Sequence, residues 1–181
     1  MINSSGGTSE RIAYAARHTA IGTLLMAATA RGVCFVQFGE SEAALIAQLK
    51  SEFPDATHTP SRLTESHELD TWIEALAAHI AGDAPRPELA LDLRGSAFQM
   101  RVWRFLQQLP EGKVLSYAQL ATGIGAPRAV RAAASACAAN RIAVLIPCHR
   151  VLRGDGGLGG YRWGLERKRT LIERERAGRS P

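Results

Sequence analysis

The sequence predicts an α/β N-terminal domain, with a short antiparallel sheet and helices, followed by a mainly α C-terminal domain containing a helix-turn-helix. Short apolar runs separated by tight turns fill the beginning of the chain, and helical spacing dominates its end. The charge also changes sign: residues 1–95 hold 7 Lys and Arg against 12 Asp and Glu, whereas residues 96–181 hold 15 against 5. We place the boundary near Arg94. The predicted domains are residues 11–94 and 95–181, after a disordered tail over residues 1–10.

Three apolar runs near the N-terminus predict an antiparallel meander of strands. These runs are Ile12–Ala16, Ile21–Thr29 and Gly32–Phe38. Two helices follow, over residues 41–53 and about 65–81, because their apolar residues recur at i, i+3 and i+4. Cys34 lies in the third strand, where core packing accounts for it. This half lacks a cluster of catalytic residue types, so we expect it to support the second half.

Helical segments make up most of the second half. They are predicted over residues 96–109, from 117 to a glycine-rich turn at 123–127, over 128–139 and over about 165–176. Ser96 and Ser116 are the expected N-caps of the first two helices. A short strand, Val114-Leu115, separates these two. A helix, a glycine turn and a second helix together predict the helix-turn-helix.

A cysteine stands directly after a buried apolar run and a proline. The run over residues 142–146 leads into Pro147, which favours a strand that ends in a turn at Cys148. A free thiol has a pKa of roughly 8.5 and needs a nearby base or cation to become a nucleophile. Such groups follow in the sequence: His149, Arg150 and Arg153. On these grounds Cys148 is either a nucleophile or a small buried apolar residue.

The segment Pro147-Cys148-His149-Arg150-Val151 resembles the acceptor-cysteine motif of the O6-alkylguanine-DNA alkyltransferases, also called methylated-DNA–protein-cysteine methyltransferases. Further similar segments occur in the family's order: Ser116–Ala121, Pro127–Arg131, Ala138–Asn140 and Gly160–Leu165. The resemblance is strong from about residue 95 to 175 and loose before that. Its last part, Tyr161-Arg162-Trp163-Gly164, is most similar to the Ada branch of the family.

The resemblance implies single-turnover transfer of an alkyl group from O6-alkylguanine, and less readily from O4-alkylthymine, to Cys148. It implies that His149 takes the proton of Cys148 through a water and that Glu175 holds His149. Asn140 would brace the active-site turn, and Tyr117 would press on the 3′ phosphate of the damaged nucleotide. No cofactor and no metal are implied.

The predicted helix over residues 128–139 is rich in alanine, which cannot read base edges by hydrogen bonding. Taken alone, it is an alanine-rich packed helix. The two arginines near its N-terminus suit phosphate groups. The resemblance implies instead that it enters the minor groove of double-stranded DNA, with Arg131 replacing an extruded nucleotide in the base stack. The implied DNA contacts are Arg128, Ala129, Arg131, Ala132, Ser135 and Tyr117.

A glycine-rich loop, Gly154–Gly160, is the expected wall of a pocket for the extruded base. The predicted pocket residues are Cys137, Val151, Tyr161, Arg162 and Trp163. We expect Trp163 to lie at the pocket rim and to exclude bulky alkyl groups. Glu175 continues an apolar helical stripe, so it is either a buried partner of His149 or an exposed carboxylate at the helix end.

Composition limits the remaining functions. The formal charge of +5, concentrated in the second half, suits a nucleic-acid partner, although a solvated basic face would give the same count. Three cysteines without close spacing indicate free thiols and disfavour zinc. No apolar run reaches about 18 residues, so we expect a soluble cytoplasmic protein. The resemblance implies a monomer in the bacterial cytoplasm or nucleoid. A damage-binding protein without transfer activity, a helix-turn-helix transcription factor and a cysteine hydrolase remain as alternatives.

Overall fold

The computed structural model describes residues 9–65 and 67–178, and its N-terminal part contains a four-stranded mixed sheet. The strands are β1 (Arg11–Thr19), β2 (Gly22–Thr29), β3 (Gly32–Gly39) and β4 (Thr57–Pro60), in the order β3-β2-β1-β4. The predicted meander is confirmed, since β1, β2 and β3 pair antiparallel. Strand β4 pairs parallel to β1 and was not predicted, because its sequence is polar and ends in proline.

The predicted disordered tail falls largely on residues 1–8, which lie outside the described residues. Its last two residues are ordered, so the prediction was wrong for them. The Ser9 hydroxyl donates to the Asp55 carbonyl at 2.8 Å, and the Glu10 carbonyl accepts from the Thr57 amide at 2.7 Å. These bonds extend the pairing of β1 with the start of β4.

Both faces of the sheet are covered, because five consecutive residues of β2 are buried and successive side chains of a strand point to opposite faces. Leu24 and Met26 face the large core, whereas Leu25 and Ala27 face a smaller cluster. Helix α1 (Glu42–Glu52) covers the smaller cluster. Its N-cap is Ser41, whose hydroxyl accepts from the Ala44 amide at 3.1 Å. The other face therefore remains available to the rest of the chain.

Helix α2 (Glu68–Ala81) packs on that other face with β1 and begins three residues later than predicted. Beyond it, the C-terminal part is mainly helical. Its elements are α3 (Ala97–Gln107), β5 (Leu115–Ser116), α4 (Tyr117–Gly123), α5 (Val130–Ala138), β6 (Val151–Leu152) and α6 (Leu165–Ala177). An N-terminal sheet domain and a helical C-terminal domain are thus both present, as predicted.

Local sequence accounts for the starts of α3 and α4. Ser96 and Ser116 each form a capping box, in which the serine accepts from the N3 amide and a glutamine side chain accepts from the N-cap amide. Helix α5 begins at Val130, two residues later than predicted, so Arg128 precedes it. Trp103 of α3 is buried, and its indole N–H donates to the Ala136 carbonyl at 2.9 Å.

The predicted strand over residues 142–146 does not form. Ile142 makes a single bridge to Val36 of β3, and the chain then turns tightly, with Val144 at a positive φ of 68°. Such a φ is costly for a β-branched residue, and it is maintained here by burial on all sides. The apolar run is buried as expected, but it packs as an irregular segment against the sheet of the first domain.

One hydrophobic core joins the sheet to the helices. It contains Leu24 from β2, Ile73 from α2, Val102 from α3, Leu120 from α4 and Leu171 from α6. The acceptor-cysteine segment lies directly on this core, so its position depends on both halves of the chain. Within residues 9–65 and 67–178, no helix is long and apolar enough to cross a membrane.

Gly32 lies very close to the segment that precedes α3, and we therefore predict that a side chain at this position destabilises the fold. Gly32 has φ +144°, and a Cβ built there would lie 2.4 Å from the Ala90 carbonyl oxygen. Gly32→Ala should therefore lower the free energy of unfolding by about 2 kcal/mol or more. Urea denaturation would measure the loss. Gly154→Ala is the matched control, since its Cβ would meet no atom within 4 Å, and equal stability of the two variants would contradict this account.

Candidate active site

Cys148 opens a short 3₁₀ turn, Cys148–Arg150, immediately after Pro147. Consecutive side chains of a straight strand would point to opposite faces. The turn removes that difficulty, because it redirects the chain between Cys148 and His149. The Cys148 amide donates to the Ile146 carbonyl at 2.8 Å, and the thiol is almost fully buried.

The side chain of Asn140 makes several of the hydrogen bonds around this turn. Its Oδ1 accepts from the Ile142 amide at 2.8 Å, and its Nδ2 lies 3.2 Å from the Ile142 carbonyl and 3.1 Å from the Ile146 carbonyl. The same Nδ2 lies 3.2 Å from the Cys148 Sγ. One fully buried amide therefore satisfies the irregular backbone before Pro147 and donates a hydrogen bond to the sulfur.

Glu175 of α6 reaches the turn and binds two of its side chains. Its Oε1 lies 2.7 Å from His149 Nε2, and the Arg150 guanidinium donates Nε to Oε2 at 2.8 Å and Nη2 to Oε1 at 2.9 Å. All three side chains are buried. The alternative of an exposed helix-end carboxylate is wrong for Glu175.

The carboxylate of Glu175 fixes the form of the imidazole. Because a carboxylate can only accept, His149 Nε2 carries the proton and Nδ1 is the basic nitrogen. The buried Nδ1 has no hydrogen-bond partner within the described part of the chain. Burial lowers the pKa of His149, although Glu175 opposes this shift. His149 is therefore neutral at physiological pH and able to accept a proton.

The thiol of Cys148 is protonated in the resting protein. Burial raises its pKa, and the hydrogen bond from Asn140 and the charge of Lys168 only partly offset this effect. A base is consequently needed to generate the thiolate, which is the nucleophilic form. Lys168 acts through its positive charge, which lowers the pKa of the thiol.

Lys168 also holds the glycine-rich loop. Its ammonium is fully buried and donates to the carbonyls of Val151 at 2.7 Å and Gly160 at 3.0 Å, as well as to that of Leu158. These contacts attach β6, which precedes the loop, and the C-terminal end of the loop to α6. A buried ammonium is tolerable here because carbonyl oxygens occupy its donor positions.

A cavity of about 480 Å³ opens in front of Cys148. Its lining includes four predicted site residues besides Cys148, namely Tyr117, Cys137, Tyr161 and Arg162. Burial raises the pKa of Tyr117 to about 12, so its phenol remains protonated and can donate a hydrogen bond. Burial likewise raises the pKa of Cys137, which keeps this second thiol a poor nucleophile.

Two of the predicted pocket residues do not line this cavity. Val151 is fully buried in β6, where it pairs with Leu115, and Trp163 is buried behind the wall. The indole of Trp163 packs edge-on against Tyr161, with ring centroids 5.2 Å apart. The expectation that Trp163 stands at the rim was therefore wrong, since Arg162 occupies that place.

The DNA-contact residues expected from the sequence share one surface. Arg131, Ala132 and Ser135 lie on the exposed face of α5, and Arg128 is exposed just before it. Ala129, the N-cap residue, is half-buried. Ala138 continues this face and also lines the cavity, as does the half-buried Ala134. The exposed side of α5 therefore runs directly to the mouth of the pocket.

Sequence reasoning missed the part played by Arg150. We expected it to lower the pKa of the thiol, but it binds Glu175 and donates Nη1 to the Leu109 carbonyl at 2.7 Å. The available signal was the carboxylate on the apolar stripe of the last helix, because a buried carboxylate needs cationic or hydrogen-bonding partners. Arg153 was considered only as a cation near the thiol, yet it lines the cavity.

The side chains that meet here suit acid-base and nucleophilic chemistry. Within residues 9–65 and 67–178, no group of three or more His, Cys, Asp and Glu side chains could hold a metal ion. A nucleophile, a neutral base and a carboxylate that orients the base are present in one buried cluster.

Comparison with known proteins places the chain in a family. Residues 97–177 match the family described as 6-O-methylguanine DNA methyltransferase, DNA binding domain. The chain is 46% identical over 170 residues to the bifunctional transcriptional activator/DNA repair enzyme Ada of Escherichia coli, covering 94% of this chain and 47% of Ada. It is 47% identical over 125 residues to the methylated-DNA–protein-cysteine methyltransferase of Mycolicibacterium paratuberculosis, covering 67% of this chain and 76% of that protein. It thus spans about half the length of Ada.

The fold leads to the same family. The structure of Mycobacterium tuberculosis OGT in complex with DNA superposes with a TM-score of 0.76 and 33% sequence identity, covering 92% of this chain and 94% of that one. The chain belongs to the methylated-DNA–protein-cysteine methyltransferase family. Its recognition from the segment around Cys148 is confirmed.

The contacts of Glu175 with His149 and Arg150 predict that the free energy of unfolding depends on pH. Burial opposes ionisation, but the hydrogen bonds and charges of His149 and Arg150 outweigh it and lower the pKa of Glu175 to about 2, from 4.5. The lowered value contributes about 3 kcal/mol above pH 4.5, and this is lost as the pH falls from 4.5 through 2. Glu175→Gln should be less stable at neutral pH and should show a flatter decline in acid.

Urea denaturation of the wild type and the variant over this pH range would measure the effect. Glu166→Gln, in the exposed first turn of the same helix, is the control and should keep the wild-type profile. If the free energy of unfolding of Glu175→Gln fell in acid as much as that of the wild type, the pH-dependent part of the stability would have to come from other carboxylates.

Proposed function

We propose that this protein repairs DNA by direct reversal, transferring the alkyl group of O6-alkylguanine to Cys148 in a single turnover. The observation that carries the proposal is the buried Cys148 at a cavity of about 480 Å³, followed in the chain by the neutral His149 held by Glu175. The names of the relatives point to the same chemistry. O4-alkylthymine is a second, poorer substrate in this proposal.

The first step is removal of the thiol proton. His149 Nδ1 is the only basic nitrogen of the imidazole, because Nε2–H is committed to Glu175. A water between the thiol and Nδ1 would carry the proton, and the Asn140 amide would stabilise the thiolate that forms. Glu175 acts by orienting the ring and by favouring its protonated form.

The second step is an in-line displacement at the alkyl carbon. The bond from Sγ to carbon forms as the bond from carbon to O6 breaks, and guanine leaves with the electron pair. The proton lost by Cys148 balances the proton that the released guanine takes up. The Tyr117 phenol, which remains protonated, is placed at the cavity to donate a hydrogen bond to the leaving base. The thioether product retains the alkyl group, so each molecule reacts once.

The buried thiol cannot reach a base inside a duplex, so the damaged nucleotide must be extruded. Extrusion costs a few kcal/mol, and less when alkylation has weakened the base pair. In our proposal α4 and α5 act as a helix-turn-helix, with the small exposed side chains Ala132 and Ser135 of α5 allowing close approach to the minor groove. Arg131 fills the gap in the stack, and Tyr117 presses on the 3′ phosphate.

A division of labour between residues 11–94 and 95–181 follows from this proposal. The second domain would hold the DNA and the acceptor, and the first would support the acceptor turn. The bridge between Val36 and Ile142 supports this view, because it attaches the segment before Cys148 to the sheet. The double-stranded DNA carrying O6-alkylguanine is the proposed partner, bound by a protein monomer.

Intact-protein mass would test the proposed transfer. After incubation with a duplex carrying one O6-methylguanine, the wild-type mass should rise by one methylene group and saturate at one per protein. Cys148→Ala should show no increase. Cys137→Ala is the matched control, because it removes the other thiol of the same cavity and should still accept one group.

Two outcomes would contradict the proposal. Tight binding of the modified duplex without any mass increase would indicate a damage-binding protein that does not transfer the group. A mass increase that persists in Cys148→Ala and vanishes in Cys137→Ala would show that Cys137, and not Cys148, accepts the group.

We predict that the two arginines of the proposed DNA-binding surface serve different steps, Arg128 the binding of DNA and Arg131 the transfer of the alkyl group. Arg128→Ala should weaken binding equally for modified and unmodified duplexes and reduce the slope of log affinity against log salt by about 1, since it removes one phosphate contact. Arg131→Ala should bind with little loss but slow the transfer by about tenfold or more, because an extruded base costs a few kcal/mol and loses its replacement in the stack.

Fluorescence anisotropy at several salt concentrations and single-turnover mass measurements would separate the two effects. Arg62→Ala, an exposed arginine of the first domain, is the control and should change neither quantity. A transfer rate that Arg131→Ala leaves intact would exclude a role for this residue in extrusion.

A further inference from the structure

A polar cluster lies where the sheet domain meets the cavity. Glu52, the last residue of α1, is at its centre, and its side chain is only 9% exposed. Its carboxylate accepts from Gln37 Nε2 at 3.2 and 3.0 Å and from Gln48 Nε2 at 2.9 Å. It also pairs with Arg141 Nε at 3.4 Å and with Arg162 Nη2. The first domain thus presents one nearly buried carboxylate to two arginines of the second.

Arg162 connects this cluster to the reaction site. Its side chain lines the cavity that holds Cys148, and its Nη1 donates to the Asn140 carbonyl at 3.1 Å. Its guanidinium carbon lies 5.7 Å from the centre of the Trp163 ring. The indole N–H of Trp163 lies 3.5 Å from the Gln37 Oε1. Arg162 is therefore held by a carboxylate, a carbonyl and an aromatic ring at once.

The physical effect of these contacts is to remove the freedom of a long side chain. An arginine free to change rotamers would leave the wall at little cost, because its side chain carries about 2 kcal/mol of rotamer entropy. A charge-assisted pair with a nearly buried carboxylate is among the stronger hydrogen bonds of a protein. Glu52 therefore opposes departure of Arg162 from the cavity wall, and it does so from outside the cavity.

We propose that Glu52 is a positioning residue that fixes Arg162 against the cavity wall and thereby sets the size of the alkyl group that can reach Cys148. The proposal rests on the alkyl transfer proposed above. It assigns to the sheet domain, which supplies no group to the chemistry, a part in substrate selection. The group selected against is a bulky adduct such as benzyl, because it needs the space that Arg162 occupies.

Single-turnover rates on two duplexes, one with O6-methylguanine and one with O6-benzylguanine, test this assignment. Glu52→Gln should raise the ratio of the benzyl rate to the methyl rate by about tenfold, which corresponds to about 1.4 kcal/mol. Glu74→Gln is the matched control, because Glu74 of α2 also pairs with an arginine, but its partner is Arg17 of the first domain and neither residue lines the cavity. It should leave the ratio unchanged.

A second variant makes the assignment specific to Arg162. Arg162→Ala should raise the ratio by itself, and adding Glu52→Gln to it should give no further increase, because the two residues act through one contact. Independent, multiplying effects would overturn the proposal, as would an unchanged ratio in Glu52→Gln with a wild-type melting temperature. If Glu52→Gln does not fold, an unchanged ratio in Arg162→Ala overturns it equally. A wild type that accepts no methyl group would refute the proposed function instead.

Discussion

The contact between Glu175 and the turn Cys148–Arg150 is the interaction on which the rest of the site depends. One carboxylate orients His149 and neutralises Arg150, and all three groups are buried. Without the carboxylate, the buried guanidinium would keep only the Leu109 carbonyl as a hydrogen-bond partner among residues 9–65 and 67–178, and the imidazole would lose its fixed tautomer. The same bonds therefore stabilise the end of the chain and prepare the base.

The sequence predicted the elements whose local signals are strong. The three antiparallel strands, the serine caps of α3 and α4 and the position of α6 follow from apolar spacing and capping chemistry. Cys148, its neighbour His149 and the distant Glu175 were selected through the family resemblance, and the structure brings Glu175 within hydrogen-bond distance of His149. Spacing alone had left Glu175 undecided, because a helix periodicity does not reveal what faces the helix.

The features that sequence reasoning missed depend on contacts between distant segments. The apolar run over residues 142–146 satisfies the pattern of a buried strand, but Asn140 and the edge of β3 bend it into a turn with Val144 at positive φ. Trp163 was predicted at the pocket rim from the family resemblance. The indole is drawn inward by Tyr161 and by Gln37, a residue 126 positions away. No local rule anticipates such pairings.

Helix α6 has a consequence for how the site can move. Lys168 fastens the glycine-rich wall, and Glu175 holds the base, seven residues further along the same helix. Two turns of helix separate them by about 10 Å along a stiff axis. A tilt or slide of α6 would therefore loosen the wall and disengage the imidazole together. In the proposed reaction, a displacement of α6 that opened the cavity would at the same time remove the imidazole from its reactive position.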